Sequence, residues 1–425
     1  PLADQVRAYR GGYLPNERRQ MEQELFSGRL RGVATTNALE LGIDVGSLDV
    51  AILVNYPGTI ASCWQQAGRS GRRHEESLAV LLAGNDPVDQ YLLRNPCYFF
   101  SQSPEHAVVD PDNPYVLAKH LQAAAFELPL GQTDFEHFGP LAEPIAGALC
   151  HEKKLAEVNG DYYFAGGQNP AVNVSLRHMS DNTFSIVEQS SRDEAKHNVI
   201  ANVDAISAPE LVYPEAVYLH NGDTYLVREL DLEGKVAYVE RRETDYYTQA
   251  VLESNVLVRD ERAANESFAP ATLAFGDVDV SWQTVAFKKI KFATRENIGL
   301  GPVDIPPQNL QTTAFWLAPN DAERVQMKER GLRASEGVVG LRNLAIVALP
   351  LVSMCDSRDL GGVVDSKNLG RSTLIVYDRY PGGLGYSEKG FQHIERLLGI
   401  CREMVRDCPC DEGCPSCVGL PNLRP

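Results

Sequence analysis

The string Gln65-Gln66-Ala67-Gly68-Arg69-Ser70-Gly71-Arg72-Arg73 sets two arginines, Arg69 and Arg72, three residues apart, each preceded by a glycine. A guanidinium stays charged, and its planar fork matches phosphate oxygens. Glycine lets the backbone turn tightly and approach closely. A Q-x-x-G-R-x-G-R pattern can therefore present two fixed cations to one polyphosphate. Upstream lies Ala34-Thr35-Thr36-Asn37-Ala38-Leu39-Glu40-Leu41-Gly42-Ile43-Asp44, and the apolar run Asp49-Val50-Ala51-Ile52-Leu53-Val54 falls between the two strings. A lone G-R-x-G-R is explained by a basic surface loop. The ordered pair of strings around a strand argues for a site, because a motif gains meaning from its structural context.

A second constellation closes the chain. Cys408, Cys410, Cys414 and Cys417 follow a C-x-C-x₃-C-x₂-C spacing. Four thiolates so close in sequence can enclose one tetrahedral zinc, and closed four-sulfur sites are structural. An iron–sulfur cluster uses the same donors, and disulfides are the other alternative. Cys401 precedes the group on a helical face with Ile394, Leu398 and Val405, a spacing that reads as core packing. Cys63, Cys97, Cys150 and Cys355 are isolated and read as buried thiols. The odd total of nine, with no secretory signal at the start, favours a reducing, cytoplasmic compartment.

Elements must position these residues. Glu17 to Phe26 reads as a helix, with Met21 and Leu25 four apart and Gly28 to end it. Arg31–Thr35, Val50–Val54 and Leu78–Ala83 read as strands. Strands alternating with helices predict a parallel α/β sheet over residues 1–100. Helical patterns follow at Val88–Leu93, Tyr115–Phe126 and Leu141–Leu149, the last with Leu141, Ile145 and Leu149 on one face. Lys153–Glu157 reads as a shorter helix, ahead of a hairpin around Asn159-Gly160. Helices followed by a small hairpin over 101–168 suggest a winged helix or another small α+β unit.

Residues 169–300 form a β-rich module with a hairpin signal at Asn221-Gly222. There Tyr246, Tyr247, Trp282 and Phe287 are candidates for stacking on bases or for core. Residues 301–425 return to α/β, with an apolar helix at Asn343–Val352 and a strand at Ser372–Tyr377. The turn Asp378-Arg379-Tyr380-Pro381-Gly382-Gly383-Leu384-Gly385 could hold a phosphate at a helix start, but its spacing favours a tight structural turn. The expected fold class is α/β and α+β, in several domains.

Composition sets limits. The chain has 425 residues, 44% of them hydrophobic, and a net charge of −17. That size accommodates about two to four domains. The acidity argues against broad electrostatic coating of nucleic acid while leaving room for a local groove. Arg10, Arg18, Arg19, Arg29 and Arg31 supply either such a groove or a solvated helix face. No unbroken run of eighteen apolar residues marks a membrane span. Neither G-x-x-x-x-G-K-[ST] nor D-E-x-[DH] occurs, so the phosphate cradle and magnesium carboxylate of an ATPase are missing. The chain starts inside what looks like a domain, and we read it as a fragment.

The two arginine-site strings resemble motifs V and VI of superfamily 2 helicases. Further strings extend the likeness along the chain: Ala8-Tyr9-Arg10-Gly11-Gly12-Tyr13-Leu14-Pro15, Asp86-Pro87-Val88-Asp89-Gln90-Tyr91-Leu92, Asp110-Pro111-Asp112-Asn113-Pro114-Tyr115, Tyr377-Asp378-Arg379-Tyr380-Pro381-Gly382-Gly383 and Gly413-Cys414-Pro415-Ser416-Cys417. Together they resemble the C-terminal half of bacterial DEAD/DEAH-box DNA-repair helicases of the MrfA type, which carry a DUF1998 zinc-binding domain.

The resemblance implies a second RecA-like domain and a 3′ to 5′ translocase on single-stranded or forked DNA. It implies ATP and magnesium as cofactors of the full-length protein and structural zinc. Arg69 and Arg72 would be arginine fingers. Gln65 would sit beside the nucleotide, and Gly42 and Asp44 would couple the nucleotide to domain closure. Thr35 and Thr36 would contact a backbone phosphate. The first RecA-like domain would be the partner, and this half alone is expected not to turn over ATP. The rival readings are a non-enzymatic binding or scaffold subunit, and a magnesium enzyme built on Asp356, Asp359 and Asp378.

Overall fold

A computed structural model describes residues 2–9, 15–40, 48–71, 76–101, 103, 108–174, 183–189, 197–220, 222–268, 271–411 and 413–419. The N-terminal part holds two parallel strand pairs, Val6–Tyr9 with Gly32–Thr35 and Val50–Val54 with Leu78–Leu82. Between the first two strands lies the helix Pro15–Phe26, ended by Gly28 at φ 73°. A left-handed residue there suits glycine. Tyr9, Met21 and Leu39 bury together beneath the helix. The Tyr9 hydroxyl donates to Glu22 at 2.6 Å, and burial with that carboxylate pushes it up to about 12.

The helix Ile60–Ala67 starts at Thr59, whose hydroxyl accepts from the Ser62 amide at 3.0 Å. The next helix, Pro87–Arg94, has Asp86 as its cap and proline in its first turn, where a missing N–H costs nothing. Buried Asp89 accepts from the amides of Tyr56 and Gly84. It thereby locks the ends of the second strand pair to this helix.

Three helices, Pro114–Glu127, Gln132–Phe138 and Ala142–His151, pack around Leu117, Leu121, Phe135, Ala146 and Leu149. The residues expected as a short helix after them are a strand: Leu155–Val158 pairs antiparallel with Asp161–Phe164. Asn159 at φ 57° and Gly160 at φ 90° make the turn, and a two-residue turn of that hand matches strand twist. Leu130 bridges Tyr162 on the outer side of the hairpin. The third helix buries Leu149 and packs Ile145 against the core as its spacing predicts, together with Ala142 and Ala146, but Leu141 lies exposed ahead of the first turn.

A five-stranded sheet follows, in the order His197–Asp204, Thr183–Gln189, Val236–Arg241, Asp223–Asp231, Val217–His220. Next comes a six-stranded sheet built on Tyr246–Ala264 and Ala271–Lys291. Gln308–Pro319, Thr373–Asp378 and Leu360–Asp365 continue it, and Asn297–Pro302 pairs with the second long strand. The sheet thus runs across residue 300, the expected boundary between modules.

Alternation along Gln308–Pro319 sends Phe315 and Leu317 to one face and Ala314 and Trp316 to the other. The helices Ala334–Ala348 and Ile394–Arg406 cover the first face. By length and composition, the segment Ala334–Leu351 could cross a membrane. It instead buries Val338, Leu344 and Ala348 in this core. On the later helix Ile394, Leu397, Cys401 and Met404 are buried, while Val405 is exposed, so the inward face is displaced from the expected one. Cys401 is core, as its spacing predicts.

Candidate nucleotide face and zinc knuckle

Thr35 ends its strand and Thr36 follows, both exposed. Thr36 precedes the short turn Asn37–Leu39 but makes no side-chain capping bond. The Thr35 hydroxyl donates to the Thr36 carbonyl at 2.9 Å. Exposed hydroxyls on a strand end are chemically able to meet a phosphate oxygen.

One turn on, Glu40 reaches the second string. Its Oε2 accepts from Ser62 Oγ at 2.7 Å and from Gln66 Nε2 at 2.9 Å. The carboxylate ties the threonine segment to the helix that leads into the arginines. Sequence reasoning gave Glu40 no role, although it stands inside the quoted string.

Gln65 is exposed on that helix, and Arg69 follows its end. Arg69 Nε donates to the Gln65 carbonyl at 3.2 Å, which holds the guanidinium against the helix C-terminus. Ser70 bridges Leu48, and the Gly71 amide donates to the Leu48 carbonyl at 2.8 Å. Gly71 has φ 94°, a conformation that glycine adopts without strain. Gly42, Asp44 and Arg72 lie outside the described residues.

The cysteine cluster closes the other end of the fold. The sulfurs of Cys408, Cys410 and Cys414 all lie within 4.8 Å of one another. Cys417, buried in the short helix Pro415–Val418 that follows Cys414, supplies the fourth sulfur of the spacing. The backbone amides of Cys417 and Ser416 point at Cys414 and pull its thiol down to about 7, so this sulfur is readily present as thiolate. Gly413, at φ 99°, permits the turn between the two cysteine pairs. This donor set fits a four-sulfur zinc site.

The knuckle is anchored to the fold. Cys417 is buried, and the Val418 carbonyl accepts from Asn343 Nδ2 at 2.7 Å. Arg94 donates to the Asp407 carbonyl, so the helix that follows the strand pairs rests on the segment entering the knuckle.

Other candidates resolve differently. Asp378 is fully buried and accepts from the amides of Leu384 at 2.7 Å, Ser387 at 2.8 Å and Tyr386 at 3.1 Å. Asp356 pairs with Arg358 at 2.7 Å, and Asp359 accepts from the Asp356 amide. Asp356 and Asp359 share one capping box, and among the described residues the three carboxylates do not gather into a metal-ligating group. The glycine turn they flank is structural: a Cβ on Gly383 would stand 2.1 Å from Thr313 Oγ1, and one on Gly382 would stand 2.8 Å from Asn113 Nδ2. Trp282 and Phe287 are buried core. Of the cysteines read as buried thiols, Cys63 and Cys355 are buried, Cys150 is half-buried and Cys97 is exposed.

The parallel strand pairs with their arginine string and the terminal cysteine cluster are the two features by which the chain resembles known helicases and a zinc-binding domain. The helicase conserved C-terminal domain matches residues 4–74, the winged helix domain of ATP-dependent helicase HRQ1 matches 109–179, and the MrfA Zn-binding domain matches 341–418. The chain is 41% identical over 417 residues to the uncharacterized ATP-dependent helicase YprA of Bacillus subtilis, covering 97% of this chain and 55% of YprA. It is 29% identical over 441 residues to ATP-dependent helicase HRQ1 of Saccharomyces cerevisiae, covering 98% of this chain and 40% of HRQ1. The solved structure of the DUF1998 helicase MrfA bound to DNA superposes with a TM-score of 0.67 at 40% identity, covering 98% of this chain and 55% of MrfA. The chain therefore spans about half the length of the relatives it matches.

Proposed function

We propose that this chain is the motor-completing half of an ATP-dependent, 3′ to 5′ DNA helicase that serves DNA repair in the cytoplasm. The reading is carried by the Glu40 bridge between the threonine segment and the helix of Gln65 and Arg69. A motor must couple a strand-contacting segment to a nucleotide-contacting one, and this carboxylate joins the two. Thr35 and Thr36 would grip a phosphate of single-stranded or forked DNA. Gln65 would flank the nucleotide, with Gly42 and Asp44 transmitting domain closure. Arg69 and Arg72 would neutralise charge developing on the γ-phosphate, a contribution of about 10³–10⁵ in rate for an arginine finger.

ATP and magnesium would be held mainly by a first RecA-like domain, which supplies the phosphate cradle this chain lacks. Cys408, Cys410, Cys414 and Cys417 would hold a zinc ion whose chemistry is structural. The knuckle would then brace the helix Pro87–Arg94 against the C-terminal core.

The test is strand displacement by the polypeptide that includes a first RecA-like domain. The expected result is ATP-dependent unwinding of a duplex with a 3′ single-stranded tail and none with a 5′ tail. Binding without unwinding on either tail would instead favour the non-enzymatic scaffold.

A further inference from the structure

Lys288-Lys289-Ile290-Lys291-Phe292-Ala293-Thr294-Arg295 places four cations in eight residues with no acid among them, in a chain of net charge −17. The segment ends the long strand Ala271–Lys291 and turns back toward Asn297–Pro302. In the register, Lys288 opposes Gln249 and Leu300, and Ile290 opposes Tyr247. Side chains alternate along a strand, so Lys288, Ile290, Tyr247 and Leu300 share one face.

That face is open to solvent: Leu300 is 68% exposed and Phe292 39%. Phe292 packs on Tyr247 with ring centroids 5.5 Å apart. The Arg295 guanidinium lies 5.7 Å from the centroid of the Tyr247 ring and donates to its hydroxyl at 3.3 Å. Core packing explains neither the exposed Phe292 ring on half-buried Tyr247 nor the run of cations beside it. Apolar rings flanked by lysine and arginine match the needs of unpaired bases on a phosphate backbone, since every base has a face to stack and every linkage a charge to meet.

We infer that the strand-end face of Tyr247, Phe292, Lys288 and Arg295 is a second single-stranded DNA contact, separate from the threonine and arginine strings. It rests on the helicase reading for the choice of DNA. The aromatic pair stacks bases, and Lys288 and Arg295 hold the flanking phosphates. The tip itself is fixed by the backbone: the Phe292 amide donates to the Asp245 carbonyl and the Lys291 amide to the Glu296 carbonyl, each at 3.0 Å.

The test uses the full 425-residue chain, zinc-loaded, with labelled oligothymidylate and an abasic oligomer of equal length across a salt series. The wild-type chain should prefer the thymidylate. Phe292→Ala should weaken thymidylate binding at least about five-fold and leave abasic binding nearly unchanged. Lys288→Ala with Arg295→Ala should weaken both oligomers and flatten the salt slope by about 1.4, that is about 0.7 for each phosphate left without its cation. All the altered side chains are exposed, and unchanged thermal melting confirms the fold. No binding by the wild-type chain, or binding indifferent to these changes, overturns the inference. If Thr35→Ala with Thr36→Ala alone abolishes binding, the strand-end contact fails while the helicase reading stands. Equal capture by anionic lipid vesicles, with no preference for bases, also overturns it.

Discussion

At the residue scale, burial sorts the cysteines by what they can do. Cys355 and Cys401 are enclosed in the apolar core. Burial pushes Cys401 up to about 12, and Cys355 is raised further still by burial and nearby aspartates. A thiol held so high stays protonated at neutral pH and reacts slowly with alkylating agents. In the zinc-loaded chain, iodoacetamide at pH 8 should modify exposed Cys97 first and leave Cys63, Cys355 and Cys401 untouched until unfolding. A chelator should then expose Cys408, Cys410, Cys414 and Cys417. Rapid native labelling of Cys355 would contradict this assignment. The cysteine spacing made the knuckle legible from sequence, because ligand spacing is local. Exposure of Cys97 was not legible, because it depends on how the helix Pro96–Ser101 seats against distant partners such as Leu351.

At the element scale, the knuckle and the glycine turn are both joints. Cys414→Ser should lower bound zinc well below one per chain by atomic absorption, and should release the restraint near Arg94. Full zinc retention would show that three sulfurs suffice. At the turn, Asp378→Asn leaves the shape but gives the amides of Leu384, Tyr386 and Ser387 one carbonyl oxygen and a donor in place of two acceptors. The expected loss is about 1–3 kcal/mol, read as a lower urea midpoint with unchanged slope. An unchanged midpoint would contradict the account.

Most helices and strands were legible from periodicity and caps, since those signals are local. Lys153–Glu157 was not. Its residues favour a helix in isolation, but Asn159-Gly160 and the Leu130 bridge draw them into a hairpin. On Ala142–His151 the small residues Ala142 and Ala146 join Leu149 inside, and on Ile394–Arg406 the buried set is Ile394, Leu397, Ile400, Cys401 and Met404, with Val405 turned outward.

At the scale of the whole molecule, contacts far apart in sequence hold the modules together. Asn113 caps the helix Pro114–Glu127 through Tyr115 and Val116, and its amide donates to the carbonyls of Pro381 at 2.9 Å and Gly383. Asn113→Ala removes a cap and a junction at once. A cap alone is worth about 0.5–2 kcal/mol, and the buried junction should bring the loss to the top of that range or above. Urea unfolding should show it, with the winged-helix part losing hydrogen-exchange protection first. Uniform loss of protection would mean that the junction is not local to that part. No pattern in the sequence links Asn113 to Gly383, 270 residues away. Such a pairing becomes visible only once the sheet and the helices have been placed.

The central claim is that Arg69 completes an ATP site whose other half lies on a first RecA-like domain. The direct measurement is DNA-stimulated ATP hydrolysis by the polypeptide carrying both halves, wild type against Arg69→Ala, with this chain alone as the reference. The account predicts turnover only with both halves present, a fall in kcat of about 10³ or more for Arg69→Ala, and retained DNA binding. Wild-type kcat in the Arg69→Ala protein, or ATP turnover by this chain alone, would contradict it.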